Sequence, residues 1–286
     1  MRKRSKSTDG ADGGSSGNPA ASLTRGLDIL RAFTPDDATL GNQELIERTG
    51  LAGATVSRLT STLVGLGYLH YDAALGRYSI GAATISLGYS ALSSNPIIHM
   101  ARPLMQELAD WTGAAVALGT RDGLDMVYLA NCRSMSPVTL QLNVGSRVPI
   151  ARTAMGLAYL SGLDAEKREP IVAAVKRAET DGGERFAANL ARAMADRADL
   201  GFVTGFGSWH SYINAVGVTF HPTDGSPVVA LTCGGIVDIL PAEKCRKAVG
   251  PRLVAIVDQL RDRLAGGPGA GASGIAGGDG QPGPRG

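Results

Sequence analysis

Thr55, Ser57, Arg58 and Ser61 carry hydrogen-bonding side chains within one short stretch. Among them Val56, Leu59, Leu63 and Leu66 recur at spacings of 3, 4 and 3, the period of one helix face. The spacing predicts a helix that buries those apolar residues and turns Ala54, Ser57, Arg58 and Ser61 outward. Small polar groups beside one arginine can donate to and accept from base edges, which suits a helix entering a major groove. Arg77 follows the turn glycine Gly76, a place from which it would reach a phosphate backbone or minor groove. A third candidate is Arg152-Thr153-Ala154-Met155-Gly156. Free N–H groups at a helix start favour an anion, and Ala154 and Gly156 are small enough to let a ligand approach the backbone. A plain N-cap by Thr153 accounts for the same run equally well.

The elements around these residues give them an order. Leu45 and Ile46 mark a short helix, Gly50 a turn, and Gly67 the end of the helix carrying Arg58. Tyr68–Asp72 and Arg77–Gly81 read as two strands around the turn Ala73-Ala74-Leu75-Gly76. Before them, Leu23–Phe33 reads as a helix with Leu23, Leu27, Leu30 and Phe33 on one side and Ser22 as its N-cap. Helix, helix, turn, helix, hairpin is the winged-helix order. Two amphipathic helices around a glycine turn also occur as plain packing. On that alternative the chain is a small-molecule sensor or a protein-interaction module with no DNA binding.

The rest of the chain alternates strands and helices. Ala83–Ser93 and Pro96–Thr112 read as helices, the second with Ile97, Met100, Leu104, Leu108 and Trp111 on one face and Pro103 inside it. Strands are expected at Ala115–Thr120, Met126–Ala130, Val138–Leu142, Phe202–Phe206, Asn214–Phe220 and Val228–Cys233. Helices are expected at Thr153–Ser161, Glu166–Ala178, Phe186–Ala198 and Pro241–Leu264, with a hairpin turn at His221–Pro227. Helices on an antiparallel sheet make an α+β layer fold.

Composition sets outer bounds. The 286 residues suffice for two domains with full cores, and 44% apolar with 19% charged is a globular balance. No apolar run approaches the ~20 residues that span a bilayer, and no apolar segment follows the basic patch Arg2, Lys3, Arg4 and Lys6. No membrane association and no secretory signal are therefore expected, and a cytoplasmic location is. Cys132, Cys233 and Cys245 are odd in number and far apart, which fits a reducing compartment. His70, His99, His210 and His221 lack metal-ligand spacing, and there is no nucleophile elbow, P-loop or dinucleotide fingerprint. No catalytic residue, metal or cofactor is expected. Residues 1–81 hold nine Lys and Arg against eight Asp and Glu. With so few spare cations a monomer would bind DNA weakly, and a dimer would be needed to engage two half-sites together.

The stretches Ser22–Phe33, Glu44–Leu69, Arg77–Gly81, Arg152–Leu163 and Val228–Gly235 resemble, in order and spacing, the IclR-type transcriptional regulators of bacteria. The resemblance runs over about residues 22 to 264. It implies a winged helix-turn-helix domain followed by an α+β effector domain similar to GAF and profilin-like sensors. The expected layout is a basic, Gly/Ser-rich arm (1–21), the winged helix (22–82), connector helices (83–112), the effector domain (113–265) and a Gly/Pro tail (266–286), with both ends disordered. The implied function is a ligand-responsive regulator, repression being the commoner role. It would act as a homodimer or dimer of dimers on a pseudo-palindromic double-stranded operator, with Thr55, Ser57, Arg58, Ser61 and Arg77 at the DNA. The resemblance places a small organic acid against Thr153, Ala154, Met155 and Gly156, with Gly205, Trp209, Asn214, Ala215, Thr232 and Gly234 across the pocket. Two departures stand out. Ala52-Gly53-Ala54 replaces the family's Pro-Lys-Ser and so lacks a phosphate-reaching lysine. Gly205, Ala215 and Gly234 stand where members that bind small keto acids carry Asp, Cys and Ser. With Phe206, Trp209, His210 and Asn214 added, a larger aromatic or hydrophobic carboxylic acid is expected, while ordinary core accounts for Trp209 equally well.

Overall fold

The structure is a computed structural model and describes residues 19–136, 140–178 and 182–265. The chain divides into two compact units between Ser94 and Asn95. Among the described residues no helix is long and apolar enough to cross a membrane.

The first unit contains α1 (Pro19–Arg31), β1 (Leu40–Gly41), α2 (Asn42–Thr49), α3 (Gly53–Gly65), β2 (Leu69–Asp72), β3 (Arg77–Ile80) and α4 (Ala82–Ser93). Ile29, Leu40, Leu45, Val56 and Leu69 form its core. Gly50 closes α2 at φ 67°, its N–H donating to the Ile46 carbonyl, a left-handed cap that glycine adopts without a Cβ penalty. The order β1-β3-β2 makes the wing a three-stranded sheet; β1, two residues long, carries no signal in the sequence.

Several expectations shift here. Helix α1 begins at Pro19, so Ser22 lies inside it rather than capping it, and residues 19–21 are helical rather than part of an arm. Leu23 and Leu27 are 66% and 50% exposed, and the fully buried residue is Ile29. Helix α3 ends at Gly65, leaving Leu66 exposed. Thr60 takes the buried side instead, donating to the Ser57 carbonyl and lying 3.2 Å from the Tyr78 hydroxyl. The expected connector divides, α4 belonging to the first unit and the next helix to the second.

The second unit is built on one antiparallel sheet of order β6-β5-β4-β9-β8-β7. Its strands are β4 (Ala115–Asp122), β5 (Asp125–Arg133), β6 (Arg147–Pro149), β7 (Val203–Phe206), β8 (Ile213–Phe220) and β9 (Val229–Ile236). The helices are α5 (Pro96–Thr112), α6 (Ala154–Gly162), α7 (Ala165–Ala178), α8 (Gly183–Leu200), α9 (Ala242–Lys244) and α10 (Gly250–Ala265). Helices α6, α7 and α8 bring Met155, Leu160, Val175 and Phe186 into one core with Met126, Tyr128 and Ala230 of the sheet. On the opposite face α5 covers Cys132 and Cys233, whose sulfurs lie 3.6 Å from the Arg102 carbonyl and 3.8 Å from the Thr112 hydroxyl. Asn95 caps α5, its Oδ1 accepting from the N–H groups of Ile97 and Ile98.

The buried side of α5 is Ile97, Ile98, Ala101, Met105, Leu108, Ala109 and Thr112. This is rotated from the expected face, and Trp111 is partly exposed under the Arg252 guanidinium, 3.5 Å away. The expected strand Val138–Leu142 falls partly outside the described residues, and Leu140–Leu142 are not in a strand. Its place beside β5 is taken by β6. The last helix is interrupted by a π-turn at Cys245–Val249, where the Gly250 N–H donates to the Cys245 carbonyl. Pro251 follows directly and has no N–H for the regular ladder. The arm's first 18 residues and the tail from 266 on lie outside the described residues.

Candidate nucleic-acid interface and effector cavity

On α3, Ser57, Arg58 and Ser61 are exposed and Thr55 is half-buried. The Ser57 hydroxyl accepts from Asn42 Nδ2 at 3.2 Å, tying the start of α3 to α2. Ala52 precedes α3 with no side-chain cap. The N–H group of Ala54 therefore lacks the side-chain acceptor that a serine or aspartate at position 52 would supply. At the wing, Asp72 Oδ1 accepts from the N–H groups of Ala74 and Leu75 and shapes the turn. Arg77 is not extended from that turn. Its Nε donates to Thr39 Oγ1 at 2.8 Å and its Nη2 to the Thr39 carbonyl at 2.9 Å, with Glu44 Oε2 at 2.7 Å. Glu44 Oε2 also accepts from the Gly41 N–H. That hydrogen bond, aided by Arg77, holds the Glu44 carboxyl below its usual pKa. Arg77 is thus a strut between β3, β1 and α2.

In the second unit a cavity lies between the start of α6 and the sheet. The space open to the centre of a water-sized sphere is about 40 Å³, and the unfilled space out to the mouth is about 560 Å³. The first holds a few waters, and the second includes space open to solvent at the mouth. Of the expected effector residues, Thr153, Ala154, Met155, Gly205, Trp209, Ala215, Thr232 and Gly234 line it. Cross-strand register explains their meeting: Gly205 pairs with Ala215, Ala215 with Gly234 and Gly234 with Ala115. The result is one row of small residues across four strands. Thr153 Oγ1 donates to the Pro149 carbonyl and accepts from the Gly156 N–H. It is therefore an N-cap as well as a lining residue.

Two expected residues are elsewhere. Gly156 is buried against the backbone of Ile150, where a Cβ would collide; its smallness serves helix packing rather than ligand access. Asn214 points to the other face, its Nδ2 donating to the Leu240 carbonyl at 2.9 Å, as strand alternation with the lining neighbours Ile213 and Ala215 requires. Of the added aromatics, Trp209 lines the cavity with His210 packed on it at 4.4 Å between ring centroids. Phe206 instead lies 5.0 Å from the Arg246 guanidinium.

Matches to known families and proteins follow this division. Residues 22–73 match the IclR helix-turn-helix domain, and residues 89–259 match the bacterial transcriptional regulator IclR C-terminal domain. The chain belongs to the IclR family of transcriptional regulators. It is 33% identical over 245 residues to the HTH-type transcriptional regulator TsaQ1/TsaQ2 of Comamonas testosteroni, covering 85% of this chain and 88% of that one. A crystal structure of an IclR family transcriptional regulator from Brucella abortus superposes with a TM-score of 0.78 at 40% identity, over 85% of this chain and 92% of that one. An IclR homolog from Microbacterium hydrocarbonoxydans, solved in complex with 4-hydroxybenzoate, shares the fold at TM-score 0.65 and 17% identity, over 85% and 99% of the two chains. The IclR family is one of DNA-binding regulators, not enzymes.

The cavity of this IclR-family chain includes residues that the sequence did not single out: Ala115, Ala117, Tyr128, Asn131, Leu140, Leu142, Val148, Ser208 and Ile213. Tyr128 and Asn131 are three apart on β5, so strict alternation sends them to opposite faces. The register shifts at Leu118/Gly119: Ala117 pairs with Asn131, but Gly119 pairs with Tyr128. Leu129 is the extra residue of a bulge, which re-aims the chain and puts both side chains on the cavity face. Neither strand marks the bulge beyond Gly119, a weak signal by itself. Among the described residues the lining has no Asp, Glu, Lys, Arg or His. Its side-chain polar atoms come from Tyr128, Asn131, Thr153, Ser208 and Thr232, with indole Nε1 of Trp209. Burial pushes the Tyr128 phenol well above its usual pKa, so it stays neutral.

Proposed function

We propose that this protein is a repressor that releases a pseudo-palindromic operator when a small organic acid enters the cavity beneath α6. The observation that carries the acid reading is a largely apolar cavity whose floor is a row of glycine and alanine and whose rim is the start of α6. Thr153 occupies only the Gly156 N–H, so the preceding first-turn N–H groups remain for a carboxylate. Leu140, Leu142, Met155 and Trp209 offer an apolar surface for its body. The neighbour solved with 4-hydroxybenzoate supports an acid of about this size. In the first unit, the exposed Ser57, Arg58 and Ser61 are proposed to read bases, with Thr55 beside them.

The active species is proposed to be a homodimer or a dimer of dimers acting in the cytoplasm. Helix α4 buries none of its residues, leaving Ile85, Leu87 and Tyr89 exposed. Leu23, Leu27, Leu66 and Leu87 line a single apolar groove in the first unit. Such patches mark association surfaces. The ligand acts through its differential affinity for two quaternary arrangements. The test is a gel shift of the full chain on the intergenic DNA beside its own gene, with a panel of aliphatic and aromatic acids. A retarded band that at least one acid abolishes is the expected result. A band that no acid alters removes the acid-responsive reading, and no band at all removes the operator.

A further inference from the structure

Two residues of the cavity lining, Tyr128 and Asn131, carry polar atoms without hydrogen-bond partners among the described residues, and they differ in kind from the α6 rim. Asn131 Oδ1 is buried with no hydrogen-bond donor. Its orientation is fixed, because Nδ2 of the same amide donates to the Leu142 carbonyl. The Tyr128 side chain is more than nine-tenths buried, lines the cavity, and its hydroxyl makes no hydrogen bond among the described residues. Buried polar atoms are nearly always paired, so the orphan acceptor Asn131 Oδ1 needs an explanation, and Tyr128 lines the same cavity. The bulge on β5 is what brings the two together on one face. Without it one of them would face α5.

We propose that Tyr128 and Asn131 read a hydroxyl group on the effector. Asn131 Oδ1 accepts the effector's O–H, and the Tyr128 hydroxyl donates to its oxygen. This rests on the acid reading above and narrows it to hydroxylated carboxylic acids with a flat apolar body. The carboxylate takes the α6 N–H groups, and the hydroxyl takes the β5 side of the cavity. The neutral state of Tyr128 suits a role as donor. A site built to hydrogen-bond a hydroxyl rejects the analogue lacking it, since its own buried groups are then left unpaired.

The experiment is calorimetry of the full chain with benzoate and with 2-, 3- and 4-hydroxybenzoate, repeated on Tyr128→Phe and Asn131→Leu. The wild type should bind one hydroxylated isomer about 10-fold tighter than benzoate or more. Each variant should bring that ratio to within about 3-fold. Tyr128→Phe removes only an unpartnered oxygen, so its melting temperature should match or exceed that of the wild type, and it tests the proposal even if Asn131→Leu does not fold. Benzoate binding as well as every hydroxylated isomer overturns the hydroxyl reader and leaves the acid reading standing; a bound water satisfying both atoms gives this result. A hydroxyl preference that survives in Tyr128→Phe, and in Asn131→Leu if it folds, overturns the assignment to these residues. Failure of all four acids to bind overturns the flat hydroxylated acid, and the acid reading then stands or falls on the aliphatic members of the gel-shift panel.

Discussion

The outward face of α3 and the cavity beneath α6 present polar groups in opposite ways. On α3, Ser57, Arg58 and Ser61 come from one helix and are exposed; each acts separately, on a surface whose shape the buried side of the helix has already set. In the cavity, Tyr128, Asn131, Thr153, Ser208 and Thr232 come from β5, the α6 cap, the loop after β7 and β9. They meet only if strand register, the bulge and the seating of α6 are all correct. A substitution on the first surface should therefore remove a contact and spare the fold. One in the second should disturb packing before it touches a ligand.

The largest effect should come at Gly156. A side chain there meets the backbone of Ile150, which cannot swing aside as a side-chain tip can. Gly156→Val is expected to destabilise the second unit by about 3 kcal/mol or more. Differential scanning calorimetry should show that unit melting early or already unfolded. A Gly156→Val protein that melts like the wild type would dissolve the distinction drawn above. Next is Arg58→Ala, expected to weaken operator binding by about 1–3 kcal/mol if the guanidinium makes a bidentate base contact, with melting unchanged. Equal gel-shift affinity in a folded variant would take Arg58 out of the interface.

The same contrast decides what the sequence could show. Helix periodicity made α3 and α5 legible, because a 3.6-residue repeat is a local property, and the turn Ala73-Ala74-Leu75-Gly76 marked the wing hairpin. It misassigned the buried side of α5, where Met105 and Ala109 pack closely enough to serve as core despite the larger Leu104 and Trp111 nearby. Eight of the ten expected cavity residues do line it, and those at Gly205, Ala215 and Gly234 meet through pairing between strands distant in sequence. Asn214 was misplaced for the opposite reason: its polarity outweighed the alternation that Ala215 beside it imposes. Tyr128 and Asn131 were out of reach because a bulge is set by the partner strand, and one strand's pattern does not contain it. The expected strand Val138–Leu142 fails at Leu140–Leu142, where the carbonyl of Leu142 is held by the side chains of Asn131 and Arg133.

A smaller effect is expected from acid. Asp37 receives the Arg48 Nη2 at 2.8 Å and the Thr34 N–H at 2.9 Å, and these partners, Arg48 first, hold its carboxyl far below the usual range. Because the folded-state pKa is depressed, the stabilisation is fully present above the unfolded value of about 4 and is lost as pH falls below it. Asp37→Asn should lower the melting temperature of the first unit at neutral pH and flatten its decline between about pH 5 and 2. An identical acid limb in both proteins would mean that the Arg48 contact does not hold the loop between α1 and β1.

The smallest effect on DNA binding should come from Arg77, although an arginine on a wing is an obvious phosphate ligand. Its three contacts with Thr39 and Glu44 commit the guanidinium to the protein. A phosphate would have to compete with a carboxylate already in place. Losing one true phosphate contact reduces the slope of log affinity against log salt by about 0.9. Arg77→Ala should change it by much less than that, while the melting temperature of the first unit falls slightly, as expected for a half-exposed ion pair. Arg77→Lys should recover little of the melting temperature, since an ammonium cannot span the Thr39 hydroxyl, the Thr39 carbonyl and Glu44 with the planar fork that an arginine presents. A slope reduced by a full phosphate equivalent in Arg77→Ala would show that the strut opens on DNA and that the wing delivers this side chain after all. The first unit would then share with the cavity the property of a site completed only by its ligand.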